Sequence, residues 1–407
     1  MLALALVLMM VLALFPALEA SAAPPGYNVN DFDRLQAFLN LPSAVAGQTN
    51  GQALNPAYDP DDPATWTDVT WSADAEKRVT RIDWGNEDLA GSLDLSGCAA
   101  LEYLDCTDNA LIALDVSDLT VLEELNCEDN QLTALDVSGL TALAALGCSG
   151  NQLTALDVSG CTTLAVLACS HNQLTALDLS GLTALEELYC SNNQLTALDV
   201  SDLTALEVLN CSGNQLTALD VSGLTELDTL SCSENDLTVL DVSSLTVLQY
   251  LACEENQLAS LNVSGLTALD SLLCNGNLLE ELDVSTCAAL ATLECSGNLL
   301  EELDVTAVTL DSLDARNNPL TLLTAQMNGA AIELEAQGSG TVGLFYMAGL
   351  GAKQAFATPD AGFNFLNWTD DADGDAVESS LATYALDAGT DYDLTAHFAL
   401  DDILIAD

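Results

Sequence analysis

Ten cysteines set at one spacing are the first candidates for chemistry in this chain. Cys106, Cys127, Cys148, Cys169, Cys190, Cys211, Cys232, Cys253, Cys274 and Cys295 fall 21 residues apart. Thiols in such numbers could form disulfides, hold a metal or cycle between redox states. A row of carboxylates keeps the same period: Asp115, Asp136, Asp157, Asp178, Asp199, Asp220, Asp241, Asp283 and Asp304, with Asn262 in the remaining place. Rows of oxygen ligands suit calcium. Asparagines repeat with them, among them Asn130, Asn151 and Asn172. His171 and His397 are the two side chains able to serve as near-neutral bases, and neither has a nucleophile at motif spacing.

The period that aligns these rows also says what must position them. All three are places in one 21-residue unit, Leu-x-x-Leu-x-Cys-x-x-Asn-x-Leu-x-x-Leu-Asp-Val-Ser-x-Leu-Thr-x, repeated ten times from Leu101 to Thr309. Fixed self-similarity at this length predicts a solenoid, in which each coil buries its apolar face against its neighbours. Within x-Leu-x-Cys-x the alternation turns Leu125 and Cys127 inward and Glu124, Asn126 and Glu128 outward. Trp84 and Ala315 hold the cysteine place in the flanking coils, so the slot is apolar. Stacked in register, Cys127, Cys148 and Cys169 point the same way, which disfavours bridging and predicts buried free thiols. The asparagines follow the strand, where an amide can satisfy main-chain groups otherwise buried without partners.

The aspartates leave two readings open. Carboxylates roughly 5 Å apart repel by about 0.8 kcal/mol in water. Hydrogen bonds from the following Val-Ser-Gly turn would compensate this repulsion. So would calcium bound along Asp136, Asp157, Asp178, Asp199 and Asp220. No other cofactor is expected.

The unit Leu122-Glu123-Glu124-Leu125-Asn126-Cys127-Glu128-Asp129-Asn130-Gln131-Leu132 resembles the leucine-rich repeat family, specifically the short repeats of secreted, internalin-like bacterial proteins. The resemblance implies an α/β-type solenoid, mostly parallel β, with each repeat giving one short strand to a concave sheet and an irregular or 3-10 convex side. Asn30 to Asn40 reads as an amphipathic capping helix with Asn30 as N-cap and Phe32, Leu35, Phe38 and Leu39 inward. Trp66 and Trp71 supply further apolar cover, and Pro319 helps end the array. Beyond it, Gly340-Thr341-Val342, Ala357 to Phe363, Phe365 to Thr369 and Leu394 to Phe398 resemble the B-repeat module of internalin-like proteins, which implies a small β-rich domain. Asp371-Ala372-Asp373-Gly374-Asp375 reads as a polar hairpin turn or a partial calcium loop. The expected organisation is a signal peptide over 1–23, a cap over 24–78, the solenoid over 79–324, the β domain over 325–400 and a tail over 401–407.

Charge narrows the function. Six Lys plus Arg against 62 Asp plus Glu give a formal charge of −56, and no cationic residue lies between Arg81 and Arg316. Such a field repels nucleic acid and anionic membranes. The apolar run from Leu2 to Phe15 before Ala20-Ser21-Ala22 has the form of a secretory signal, and no later stretch is long enough for a membrane span. The residues assemble no catalytic constellation, so no enzyme is expected. Outward strand positions vary over constant inward ones: Tyr103, Glu124, Val166, Glu187, Val208 and Tyr250 in one row, Tyr189 in the next, and Ser149, Ser170, Ser191, Ser212 and Ser233 in a third. Variation over a fixed scaffold is what recognition requires. The expected function is a secreted or cell-surface protein-binding or adhesion module, its partner a protein or surface glycan. The alternative is a structural surface spacer, calcium-stabilised or not.

Overall fold

A computed structural model describes residues 23–327, 330–337, 340–347, 352–359, 363–370, 376–379, 382–386 and 392–400. The signal-peptide segment, the Asp371–Asp375 loop, the tail after 400 and the side chain of His397 lie outside the described residues. The chain divides between Gln215 and Leu216 into two compact units.

The N-terminal unit begins with helix α1, Val29–Leu39. Its N-cap is Asn28, whose side chain accepts from the Asp31 amide, rather than the expected Asn30. Asn30 is committed elsewhere: its amide donates to Ser96 O at 3.3 Å. Phe32, Leu35, Phe38 and Leu39 are buried. Phe32 stacks on Trp66 and Phe38 on Trp84, so the helix covers the first coil with aromatic surface. A short helix α2, Asn50–Leu54, follows under a Thr49–Gln52 capping box. Strand β1 (Val69–Trp71) pairs antiparallel with β2 (Val79–Asp83). From β2 onward the pairing is parallel, one three-residue strand per coil: Tyr103–Asp105, Glu124–Asn126, Ala145–Gly147, Val166–Ala168, Glu187–Tyr189 and Val208–Asn210.

Each strand is short because only x-Leu-x alternates. The central leucine is buried, and the next residue but one is the buried cysteine. After it the backbone turns sharply through a left-handed residue, Asp108, Asp129, Gly150, His171, Asn192 or Gly213, with φ from 50 to 66°. Glycine, asparagine, aspartate and histidine tolerate that conformation best. His171 therefore belongs to this turn and not to the strand edge, where the alternation alone would put it.

The Leu-x-x-Leu-Asp stretch, expected to be irregular, forms a second parallel sheet in the first coils, Ala90–Asp94 with Ala110–Asp115. In later coils of this unit it is held by single inter-coil bonds such as Gln152 N to Leu132 O at 2.9 Å.

The C-terminal unit repeats the pattern with Thr229–Ser231, Tyr250–Ala252, Ser271–Leu273, Thr292–Glu294 and Ser312–Asp314 in parallel register. The last of these pairs antiparallel with Gly340–Met347, which continues to Ala352–Pro359 and Thr383–Ala385. On the other side Glu302–Val305 pairs with Leu322–Met327, which pairs with Ala330–Gln337; Tyr392–Leu400, Phe363–Asp370 and Ala376–Ser379 complete that sheet. Both sheets thus run by hydrogen-bonded pairing from the last coils into the C-terminal strands. No helix among the described residues is long and apolar enough to cross a membrane. The architecture is a parallel-strand solenoid with few helices and a C-terminal β region.

Candidate binding face of the parallel sheet

The repeated asparagines belong to the scaffold. Asn151 Nδ2 donates to Cys127 O, Cys148 O and Ser149 O at 3.0, 3.1 and 3.2 Å, and its Oδ1 accepts from Leu132 N at 2.9 Å. Asn130 and Asn172 make the same set one coil earlier and one later. Every bond goes to main chain, so these amides hold coils together.

All thirteen cysteines are buried and unbridged. Burial raises the Cys161 thiol to about 11 and that of Cys169 to about 12. Cys127 and Cys148 rise well above the ordinary thiol value for the same reason, with neighbouring thiols adding to it. At pH 8 a thiol of about 12 is ionised in about one molecule in ten thousand, and the thiolate is the reactive form. A maleimide is therefore expected to label almost none of the thirteen in the folded protein and nearly all in urea, read by intact mass. Rapid labelling of the native chain would refute buried thiols.

The aspartate row is exposed from Asp178 to Asp241 and half-buried at Asp115, Asp136 and Asp157, and its carboxylates are taken up locally. Asp136, Asp157, Asp178, Asp199 and Asp220 each accept at Oδ1 from the amide of the serine two residues on, at 3.0 to 3.1 Å. Among the described residues no three His, Cys, Asp or Glu side chains converge in an ion-holding group. The Ser201 hydroxyl and amide hold Asp199 below the ordinary carboxylate range, and Ser180 does the same for Asp178. A lowered folded value stabilises above the unfolded carboxylate range and is lost as pH falls through the folded value. Asn262 shows that a neutral amide can make the same turn, with Ser264 N to Oδ1 at 3.0 Å. Asp199→Asn keeps the acceptor but not the charge, so it is expected to melt slightly below the wild type at pH 7, by the same margin with calcium or with chelator. The gap should close as pH falls below about 4. A calcium-dependent gap between them at pH 7 would assign the row to metal.

What remains is the outward face of the strands. In the N-terminal unit, register stacks Arg81, Tyr103, Glu124, Ala145, Val166, Glu187 and Val208 in one row. Asp83, Asp105, Asn126, Gly147, Ala168, Tyr189 and Asn210 form the next. The Arg81 guanidinium lies 3.3 Å from the Tyr103 ring centroid and pairs with Asp83 at 2.9 Å. Four coils on, the Tyr189 hydroxyl donates to Glu187 Oε2 at 2.9 Å. Between the two tyrosines lie Glu124 and Asn126 and then Ala145, Gly147, Val166 and Ala168, the last four too small to fill the face. At about 4.8 Å per coil the two tyrosines stand roughly 19 Å apart along the row direction. Burial, then Asp105 and Glu124, raise the Tyr103 phenol; burial, then Glu187, raises that of Tyr189. Both stay protonated at physiological pH and present a donor beside carboxylates.

In the C-terminal unit the corresponding row is Thr229, Tyr250, Ser271, Thr292 and Ser312, with Tyr250 its one aromatic ring. Two members of the serine row depart from expectation. Ser170 and Ser191 are 8 % exposed, and Ser191 donates both its amide and its hydroxyl to Ser170 Oγ, so they turn into the coil junction instead of presenting to a partner. Arg81 is the face residue that repeat counting missed. It sits before the first full repeat, and its signal is the alternation of Val79-Thr80-Arg81-Ile82-Asp83, which puts it in the Tyr103 row.

A family model described as leucine rich repeats (2 copies) matches residues 162–203 and 183–226. No curated protein matches the sequence significantly. Among solved structures, a leucine-rich repeat protein of Leptospira interrogans is 26% identical, with TM-score 0.51 over 57% of this chain and 68% of its own. The functional domain of InlJ from Listeria monocytogenes, described as including a cysteine ladder, is 24% identical, with TM-score 0.49 over 84% of this chain and 97% of its own. The repeat ectodomain of the Arabidopsis thaliana receptor kinase GASSHO1/SCHENGEN3, solved in complex with Casparian strip integrity factor 2, is 20% identical, with TM-score 0.54 over 72% of this chain; the chain spans 44% of its length. The chain carries leucine-rich repeats and shares their fold.

Proposed function

We propose that this chain is a non-catalytic, exported protein-binding module of bacterial surface type that recognises its partner on the outward face of the parallel sheet. The observation that carries this is the placement of Arg81–Tyr103 and Glu187–Tyr189 on either side of the small residues Ala145, Gly147, Val166 and Ala168 in the N-terminal unit. Arginine and tyrosine are the residues that most often anchor interfaces, and a low floor between two raised anchors admits a projecting loop or peptide. Everything inward repeats, whereas these positions vary. The repeat ectodomain of GASSHO1/SCHENGEN3 is solved holding a partner, which supports reading this fold as a binding scaffold. Export rests on the Met1–Ala23 sequence, and the acidic face favours a partner with basic groups.

The test is capture from surface extracts on immobilised full-length protein, followed by titration of the captured partner. Tyr103→Ala and Tyr189→Ala are each expected to weaken binding roughly 30-fold, the effect of losing about 2 kcal/mol at a hot spot. Unchanged melting curves would show that the scaffold is intact. Wild-type affinity in both variants would leave the structural spacer as the better reading.

A further inference from the structure

Two adjacent coils of the C-terminal unit depart from the repeat in the same way, on a different segment from the sheet face. From Asn130 to Asn214 the segment after each ladder asparagine reads Gln-Leu-Thr-Ala-Leu-Asp. After Asn277 and Asn298 it reads Leu-Leu-Glu-Glu-Leu-Asp, and after Asn318 it opens with Pro319. An exposed glutamine has become leucine twice and proline once, and a neutral pair has become two glutamates twice. Leu278 and Leu299 are 47 % and 45 % exposed, and Pro319 is exposed beside them. Main-chain bonds Leu278 N to Leu258 O and Leu299 N to Leu279 O, both 2.9 Å, fix the row from coil to coil. Leu299 and Pro319, with Glu280, Glu281, Glu301 and Glu302, line an open cleft of about 800 Å³.

We propose that this cleft is a docking surface for a basic amphipathic α-helix of a partner protein. Leucine at a position that is polar in every coil from Gln131 to Gln257 gains nothing for the fold while it stays exposed; it gains when a second apolar surface covers it. The spacing suits a helix. Coils repeat at about 4.8 Å and helix turns at 5.4 Å, so a helix laid across them sets one apolar side chain near each of Leu278, Leu299 and Pro319 with about 1 Å of accumulated mismatch. Lysines or arginines on its flanks then face the two glutamate rows. The carboxylates are exposed and individually weak, so they orient the helix and speed its arrival while the apolar strip holds it. A bare cation or a polyamine would leave the strip uncovered. A second copy of this chain cannot supply the charge: of its six cations, Arg34, Arg78, Arg81 and Arg316 are already paired with aspartates.

The probe is a fluorescent lysine–leucine peptide of about 14 residues, about 21 Å long as a helix, titrated into the full chain at about 0.15 M salt. The comparison peptide has the same composition scrambled so that no apolar face forms. We expect the scrambled peptide to bind at least roughly tenfold more weakly. Leu278→Gln with Leu299→Gln, which restores residues the array uses elsewhere, should cost the amphipathic peptide a similar factor. Removing an equal number of carboxylates elsewhere, Asp118→Asn, Glu123→Gln, Asp202→Asn and Glu207→Gln, should cost much less than Glu280→Thr, Glu281→Ala, Glu301→Thr and Glu302→Ala. Should a variant fail to fold, a photo-crosslinker on the apolar face of the peptide must still attach to wild-type protein between Leu278 and Pro319. Equal binding of both peptides, indifference to the leucine changes, or crosslinks elsewhere would overturn the proposal. Equal loss from the two carboxylate sets would do so as well, by showing attraction to a polyanion only.

Discussion

Asn172→Leu is expected to destabilise the protein by about 3 to 6 kcal/mol, although leucine nearly matches asparagine in size. The native side chain makes four bonds: Nδ2 to Cys148 O, Cys169 O and Ser170 O at 2.9, 3.2 and 3.2 Å, and Oδ1 from Leu153 N at 2.9 Å. The carbonyls are partly insured. Cys148 O also accepts from Asn151, Cys169 O from Asn193, and Ser170 O from Gly150 N. Leu153 N has no second partner among the bonds formed, so its loss leaves a buried donor unsatisfied at about 1 to 3 kcal/mol, and the three other lost bonds add roughly 2 to 3 kcal/mol in total. Because each cysteine carbonyl is shared by asparagines of successive coils, the ladder is continuous. In a solenoid a broken link weakens the nearest-neighbour interface, so the urea transition should broaden as well as shift. A loss below about 1 kcal/mol would mean that water or relaxation replaces the ladder.

The contrast with the aspartate row shows what the sequence made legible. Both rows are polar and strictly periodic, and period alone cannot tell a buried amide from an exposed carboxylate. Position in the unit can: asparagine follows the inward cysteine and meets unpaired main chain, whereas aspartate precedes a serine turn in solvent. The solenoid, its inward leucines and cysteines and its outward rows were therefore readable from alternation within 21 residues. Features that depend on φ rather than side-chain periodicity were not. The left-handed turn residue varies among Asp, Gly, His, Asn and Glu, because its constraint is conformational, and this concealed the place of His171. Ser170 and Ser191 turn inward because they bond to each other across coils, a contact no single repeat contains. The second sheet forms only where a neighbouring strand is available, as between Glu302–Val305 and Leu322–Met327. Arg81 was not legible because the coil of Val79–Asp83 lacks the full repeat, so counting from Leu101 outward never reached it.

The cap offers the other large effect. Asp31→Ala is expected to cost about 2 to 4 kcal/mol, because it leaves Val79 N without its acceptor and strands Arg78, whose 27 % exposure lets water offset part of the penalty of a broken buried pair. Asp31 is fully buried, and its carboxylate receives Arg78 Nε at 2.8 Å, Arg78 Nη2 at 3.0 Å and Val79 N at 3.0 Å. Arg78 Nη2 also donates to Gly97 O at 3.0 Å. One carboxylate thus ties α1 to β2 and, through the guanidinium, to the turn before Cys98. The hydrogen bond to Asp31 raises the Arg78 guanidinium further; a guanidinium is ionised at any ordinary pH even without that bond, so the arginine keeps its charge when its partner is removed. Without the tie, the aromatic cover of the first coil loosens. Hydrogen exchange should accelerate first in Val79–Asp83 and Tyr103–Asp105, the strands nearest the cap, and least in the coils farthest from it. Asp31→Asn separates charge from connectivity: it retains an acceptor for Val79 N but not the bidentate ionic pair, and should fall between wild type and alanine. Replacing both partners, Asp31→Leu with Arg78→Met, removes the stranded charge and should recover much of the loss. Recovery would show that the pair's main contribution is to fix the angle at which the cap meets the first coil. A double variant no better than Asp31→Ala would instead make the ion pair itself a net source of stability, in a chain whose −56 charge leaves it very few cations for such pairs.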